Sequence, residues 1–132
     1  PERVAEIKDK FNLPVIKSLS ISNPDDLENA KIYDGIADWL LFDAPPPLHP
    51  PASGGAWGGA GGNGIAFDWS LLTNYKSITP WMLAGGLTPE NVHDALKISS
   101  PDAVDVSSGV ESAVGVKDAT KIQAFLSAVK KA

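Results

Sequence analysis

Three places in the chain carry residues whose types and spacing could do chemistry. The first is Asp43, which ends the apolar run "LLFD". A carboxyl directly after three apolar residues at a strand end is placed to have its pKa raised by desolvation, as a general acid working near neutral pH requires. An aspartate so placed could also serve a turn or cap a helix. The other two places are turns of small residues. "AVDVSSGVE" is apolar and β-branched as far as Val106, then becomes small and polar at Ser107, Ser108 and Gly109; "LAGGL" ends the preceding apolar run at Gly85 and Gly86. Small residues at the carboxyl ends of strands let backbone N–H groups approach an anion, so the pair reads as a grip for a phosphate. Tight turns between strand and helix would use the same glycines for steric reasons alone.

The elements that must position these residues alternate along the chain. "LPVIKSLSI" (13–21) reads as a strand, and the helix after it is announced by Asn23 as cap, Pro24 at the first position and acids in the first turn. "ADWLLFDA" (37–44) is a second buried run, and after a long loop "FDWSLLTNYK" (67–76) reads as its helix, with Asp68 as a cap and Trp69 packing. "SITPWMLAGG" (77–86) is the third strand, with Pro80 near its start, followed by a helix with Thr88 as cap, Pro89 at its first position and Val92, Ala95 and Leu96 on one face. "DAVDVSS" is the fourth strand, and "DATKIQAFLSAVKK" (118–131) a last helix, acidic at its start and basic at its end. Trp39 and Trp81 fall within strands and should pack between sheet and helices. Four βα units without a hairpin imply a parallel sheet with helices outside it. Two consecutive strands ending in small residues match the phosphate site found after the last two strands of (β/α)8 barrels.

Composition narrows what such a site can bind. With 132 residues, 43% of them hydrophobic and 20% charged, the chain reads as one globular unit that can bury a core. A net charge of −5 with no Lys/Arg cluster argues against nucleic acid as a partner. No apolar run approaches the roughly 20 residues that span a bilayer, and no apolar signal segment opens the chain, so no membrane partner is expected and a cytoplasmic setting is the default. The absence of cysteine removes disulfides, thiolate metal sites and cysteine nucleophiles from these residues. The start at Pro1 rather than Met suggests processing or a piece of something longer. Residues 45–64, "PPPLHPPASGGAWGGAGGNG", read as an active-site loop or lid. They contain a literal GxGxxG at Gly59, Gly61 and Gly64, yet these glycines neither follow a strand at once nor precede an acid by about 20 positions, so a nucleotide-binding α/β domain is the weaker alternative. His49 and His93 have no second ligand at metal-binding spacing, and no metal or cofactor is expected.

"LLFDA" (40–44), "GGNGIAFDWSLL" (61–72), "LAGGLTPENV" (83–92) and "VDVSSGVE" followed by "GVKDATKIQAF" (104–125) together resemble phosphoribosylanthranilate isomerases of tryptophan biosynthesis. The resemblance covers the chain from its first strand onward and corresponds to the C-terminal half of that enzyme. It implies a parallel (β/α)8 TIM barrel to which this chain supplies strands five to eight, residues 1–132 forming the C-terminal half of one domain. It implies an Amadori rearrangement without a cofactor, in which Asp43 is the general acid, Asp105 faces the substrate, and Gly85, Gly86, Ser107, Ser108 and Gly109 grip the phosphate. By its position alone Asp105 could equally be a solvated strand-end residue. The family's general base is a cysteine, and an arginine helps to bind the anthranilate; neither lies at a matching position of this chain. The expected partners are therefore a phosphorylated small-molecule substrate and the N-terminal half of the same barrel, with a homo-oligomer possible and the chain alone inactive. A non-catalytic half-barrel that binds a phosphorylated ligand is the other reading.

Overall fold

The computed structural model describes residues 1–43 and 68–132. Loop 45–64, with His49 and the glycines Gly59, Gly61 and Gly64, lies outside the described residues. The first element, α1 (Glu2–Phe11), had no counterpart in the sequence reading. Its ends suit the helix dipole, with Glu2 in the first turn and Lys8 and Lys10 in the last, and Asn12 closes it in the left-handed region at φ 49°. Lys8 Nζ donates to Asp38 Oδ1 at 3.0 Å and to the Ile36 carbonyl at 2.9 Å, while Asp38 Oδ2 accepts from the Val15 N–H at 2.7 Å. These bonds tie α1 to the start of the sheet.

The sheet contains β1 (Ile16–Ser20), β2 (Trp39–Asp43), β3 (Trp81–Leu83) and β4 (Ala103–Val104), all parallel and in the order β1-β2-β3-β4. Its helices are α2 (Pro24–Lys31), α3 (Val92–Ser99) and α4 (Ala119–Val129). The Asn23 cap is realised as a capping box, its side chain accepting from the Asp26 N–H while Asp26 accepts from the Asn23 N–H. Asp118 caps α4 by accepting from the Lys121 N–H at 3.0 Å.

Strand periodicity assigns the two faces. Leu40 pairs with Trp81 and Phe42 with Leu83, all four are buried, and they form one core with Leu27 and Ala30 of α2, Val92 and Ala95 of α3 and Phe125 of α4. At its centre Phe42 lies 5.2 Å from Trp81 and edge-on to Tyr75 at 5.1 Å, with Tyr75 and Trp81 also edge-on at 5.7 Å. The opposite face carries Trp39, Leu41 and Asp43 of β2 and Met82 of β3, all half-buried.

The structure corrects several expectations. The described residues form an open four-stranded parallel α/β sheet that ends at β1 and β4, and not a (β/α)8 barrel or strands five to eight of one. Closure would require further pairing of those two edges, and the described residues supply none. A hairpin is present after all: β5 (Glu111–Ala113) and β6 (Val116–Lys117) form a separate antiparallel pair around Gly115, whose φ of 76° suits the tight turn. The segment read as a helix over 67–76 holds only a four-residue 3₁₀ turn, Trp69–Leu72, although Asp68 does cap it by accepting from the Ser70 N–H. Finally, α3 begins three residues later than its Thr88-Pro89 signal suggested, because residues 88–91 form a turn of their own before Asn91 enters the helix.

Candidate functional site

The carboxyl ends of the four strands lie side by side. The Ile21 N–H donates to the Asp43 carbonyl at 3.0 Å, the Ala84 N–H to the Phe42 carbonyl at 2.7 Å, and the Asp105 N–H to the Leu83 carbonyl at 2.8 Å. Register then decides which side chains share a face. Asp43 alternates with Leu41, which pairs with Met82, which pairs with Ala103, two residues before Asp105. Asp43 and Asp105 are therefore on the same face of the sheet, away from the helices, at the ends of β2 and β4. Asp43 is half-buried and Asp105 exposed.

The two small-residue turns meet beside them. Gly85 and Gly86 take φ values of 85° and 65°, a left-handed pair open to glycine at little cost. The turn they begin is held by Asn91, whose Nδ2 donates to the Gly86 carbonyl at 2.9 Å and whose Oδ1 accepts from the Thr88 N–H at 2.8 Å. Thr88 Oγ1 in turn accepts from the Glu90 N–H at 3.3 Å. Leu87 and Thr88 are buried. Against this turn packs the 3₁₀ segment Ser108–Val110, and the contact is so close that a Cβ on Gly109 would fall 1.8 Å from the Leu87 carbonyl oxygen. Glycine is required at 109 because backbone meets backbone there. Among the described residues no acceptor meets the N–H groups of Gly85, Gly86, Ser108 or Gly109. Two adjoining turns with unengaged amides form a concentration of positive partial charge that suits an anion.

The sequence reading supplied this site with amides and no cation. The structure adds one, from the unforeseen hairpin. Lys117 Nζ reaches back to donate to the Ser107 carbonyl at 2.8 Å, to Ser107 Oγ at 3.1 Å and to Glu111 Oε1 at 2.7 Å. Glu111 also accepts from the Gly115 N–H at 3.0 Å, and these two bonds hold its carboxyl below the usual carboxylate range. Asn91 is the second residue the sequence reading missed: its side chain makes no cap bond to α3 but ties the Gly86 carbonyl to the Thr88 N–H, while Thr88 accepts from the Glu90 N–H. Asp68 and Trp69 lie at the capped 3₁₀ turn, with Trp69 packed against the core. His93 lies on α3, half-buried, and among the described residues no group of three or more His, Cys, Asp and Glu side chains could hold a metal ion.

Comparison with known proteins bears on what this arrangement serves. The family model for N-(5'-phosphoribosyl)anthranilate (PRA) isomerase matches residues 2–128. An N-(5'-phosphoribosyl)anthranilate isomerase of Paramagnetospirillum magneticum is 54% identical over 130 residues, covering 98% of this chain and 57% of the relative. Among solved structures, mutually generated monomers of the dimeric enzyme from Thermotoga maritima superpose with a TM-score of 0.75 at 32% identity, covering 100% of this chain and 57% of theirs. A phosphoribosyl anthranilate isomerase in complex with reduced 1-(o-carboxyphenylamino)-1-deoxyribulose 5-phosphate gives a TM-score of 0.73 at 32% identity, covering 100% of this chain and 56% of its own. The chain thus spans a little over half the length of the relatives it matches.

Proposed function

The chain belongs to the N-(5'-phosphoribosyl)anthranilate isomerase family, and we propose that it carries the general acid and the phosphate grip of that activity. The reaction is the Amadori rearrangement of N-(5-phosphoribosyl)anthranilate to 1-(2-carboxyphenylamino)-1-deoxyribulose 5-phosphate, a step of tryptophan biosynthesis. The observation that carries the reading is the meeting of the two turns at Gly109 and Leu87, beside a sheet face that also presents Asp43. A relative crystallised with a reduced form of the phosphorylated product supports the choice of ligand.

In this reading the phosphate lies against the N–H groups of Gly85, Gly86, Ser108 and Gly109, where dipoles bind it without a net positive charge. Asp43 gives its proton to the furanose ring oxygen; the ring C–O bond breaks and a protonated Schiff base forms at C1. A base then removes the proton from C2, giving an enolamine that tautomerises to the ketone. Asp105, on the same face as Asp43, is placed to orient the substrate through its exposed carboxylate. The chain contains no cysteine, so the base the resemblance implies comes from outside these 132 residues, and the chain alone binds without turning over. A second copy is a further proposed partner, supported by the dimeric Thermotoga maritima relative. No helix of the described residues is long and apolar enough to cross a membrane, and we place the reaction in the cytoplasm, where a charged, water-borne substrate would be met.

The test is to titrate the 132-residue chain with inorganic phosphate and with the reduced product analogue, following substrate fluorescence in parallel. Binding of both without turnover is the expected result. Turnover by the chain alone would overturn the assignment of the base, and failure of both ligands to bind would overturn the phosphate grip.

A further inference from the structure

The Lys117 contacts have no part in the chemistry above, and they fall on one edge of the phosphate grip. Lys117 belongs to β6, ten residues after the turn it touches, and is brought back by the pairing of Glu111 with Lys117 across the hairpin. Its three acceptors are the Ser107 carbonyl, Ser107 Oγ and Glu111 Oε1, which use all three ammonium protons. Glu111 is itself held: Oε2 accepts from the Gly115 N–H at 3.0 Å, and the Glu111 carbonyl accepts from Lys121 Nζ at 2.6 Å. The chain is thus fixed on both sides of Ser108 and Gly109, at Ser107 by the ammonium and at Glu111 by the hairpin and Lys121. Ser107 itself has φ −123° and ψ −87°, outside the helical and extended regions, and the Ser107 carbonyl also accepts from the Val110 N–H at 3.3 Å.

We propose that Lys117 and Glu111 form a clamp that positions the Ser107–Gly109 turn, so that the amides of Ser108 and Gly109 are set for the phosphate before it binds. The proposal rests on the phosphate reading of that turn and adds residues that the reading does not need. With the Ser107 carbonyl engaged by the ammonium, that oxygen is kept from turning toward the incoming anion, and the amides after it stay without an internal acceptor. Pre-organising the donors spares the ligand the cost of ordering them. Lys117 is a positioning residue here, because its own charge is largely matched by Glu111 at 2.7 Å.

The two variants Lys117→Met and Glu111→Gln separate a clamp from a simple charge. If Lys117 attracted phosphate by charge alone, removing the neighbouring carboxylate would strengthen binding. If it acts as half of a clamp, removing either partner weakens it. The experiment measures inorganic phosphate and the non-phosphorylated ligand anthranilate by calorimetry in the complete protein, with thermal unfolding alongside. Lys117→Met and Glu111→Gln are each expected to weaken phosphate by about tenfold, with anthranilate within about twofold and Lys117→Arg near wild type. Tighter phosphate binding by Glu111→Gln, or unchanged binding by Lys117→Met, overturns the clamp while leaving the phosphate grip standing. Equal losses for both ligands, or a fall in unfolding midpoint that Lys117→Arg does not restore, overturn it in favour of a merely structural role. If wild type binds no phosphate, the reading beneath the clamp fails, and the clamp with it.

Discussion

Replacing Gly109 with alanine tests the backbone contact on which the phosphate grip depends. The added Cβ would stand 1.8 Å from the Leu87 carbonyl oxygen, 2.9 Å from its carbon and 3.2 Å from Thr88 Cα. Real Cβ atoms essentially never come within 3.0 Å of such neighbours, so the two turns must part by more than an ångström. The obstacle is backbone rather than the flexible end of a side chain, and Leu87 is buried, which leaves it little room to retreat. Overpacking of this kind costs about 1–3 kcal/mol, or roughly 4–12 °C in unfolding midpoint for a chain of this size. Parting the turns by that much moves the Ser108 and Gly109 amides out of hydrogen-bond range of an anion held at Gly85 and Gly86. Inorganic phosphate affinity should therefore fall by more than about tenfold, as read by calorimetry. Gly35→Ala is the control, since it lies outside the grip, its Cβ would meet only Ile78 Cδ1 at 3.5 Å, an ordinary contact, and the left-handed φ of 73° is penalised at about 1 kcal/mol. If Gly109→Ala binds phosphate within about twofold of wild type and melts with it, the two turns do not constrain each other and the reasoning fails.

Asp43→Asn in the catalytically competent protein should abolish turnover while leaving binding of the reduced product analogue within about tenfold, because an amide keeps the size but cannot deliver the proton; single-turnover rates near wild type would remove Asp43 from the acid's role. Ser108→Val or Gly86→Val should weaken a phosphorylated ligand by at least about tenfold, and an equal loss for its dephosphorylated analogue would show that the turns do not read phosphate. Phe42→Ala, which empties the centre of the Tyr75–Trp81 aromatic group, should destabilise by about 3–5 kcal/mol in urea unfolding. The Asp38 carboxyl is held below its ordinary value by the Val15 N–H and then by Lys8; its contribution is complete above the unfolded pKa and is lost as pH falls through the lower folded one, so Asp38→Asn should flatten the acid limb of the stability profile, and an unchanged limb would show that the bond contributes nothing.

What the sequence made legible is what local periodicity encodes. Alternation in "WLLFD" and "WML" separates buried Leu40, Phe42, Trp81 and Leu83 from the face that bears Asp43, and an Asn-Pro pair announces α2 at the right residue. The hairpin was hidden because its strands are two and three residues long, too short for a period to show, although Gly115 at a two-residue turn was a usable signal. Thr88 and Asn91 are both good caps, and only the turn formed by residues 88–91 decides that Asn91 enters α3. The reach of Lys8 to Asp38, thirty residues away, follows from no local pattern. A (β/α)8 barrel to which this chain supplies strands five to eight was implied by resemblance alone, and the described residues show instead a four-stranded sheet of order β1-β2-β3-β4.

The cation is the most instructive omission. A chain of net charge −5 that binds a phosphate by amides needs no lysine in principle, since charges farther away than about 8 Å are largely screened at physiological salt and the nearby dipoles dominate. Finding Lys117 at the grip would suggest that the amides fall short, were it not for Glu111 at 2.7 Å. A lysine paired this closely adds little field at the ligand, yet it can fix a carbonyl that would otherwise face the anion. On the proposed reading, the same pair lets an acidic protein keep a cation beside a phosphate site without creating a general attraction for anions. If the proposed clamp holds, specificity resides in amides whose directions are set by the backbone at Gly109 and by the bonds on either side of it, which is why altering a carboxylate, rather than a cation, is the more searching experiment.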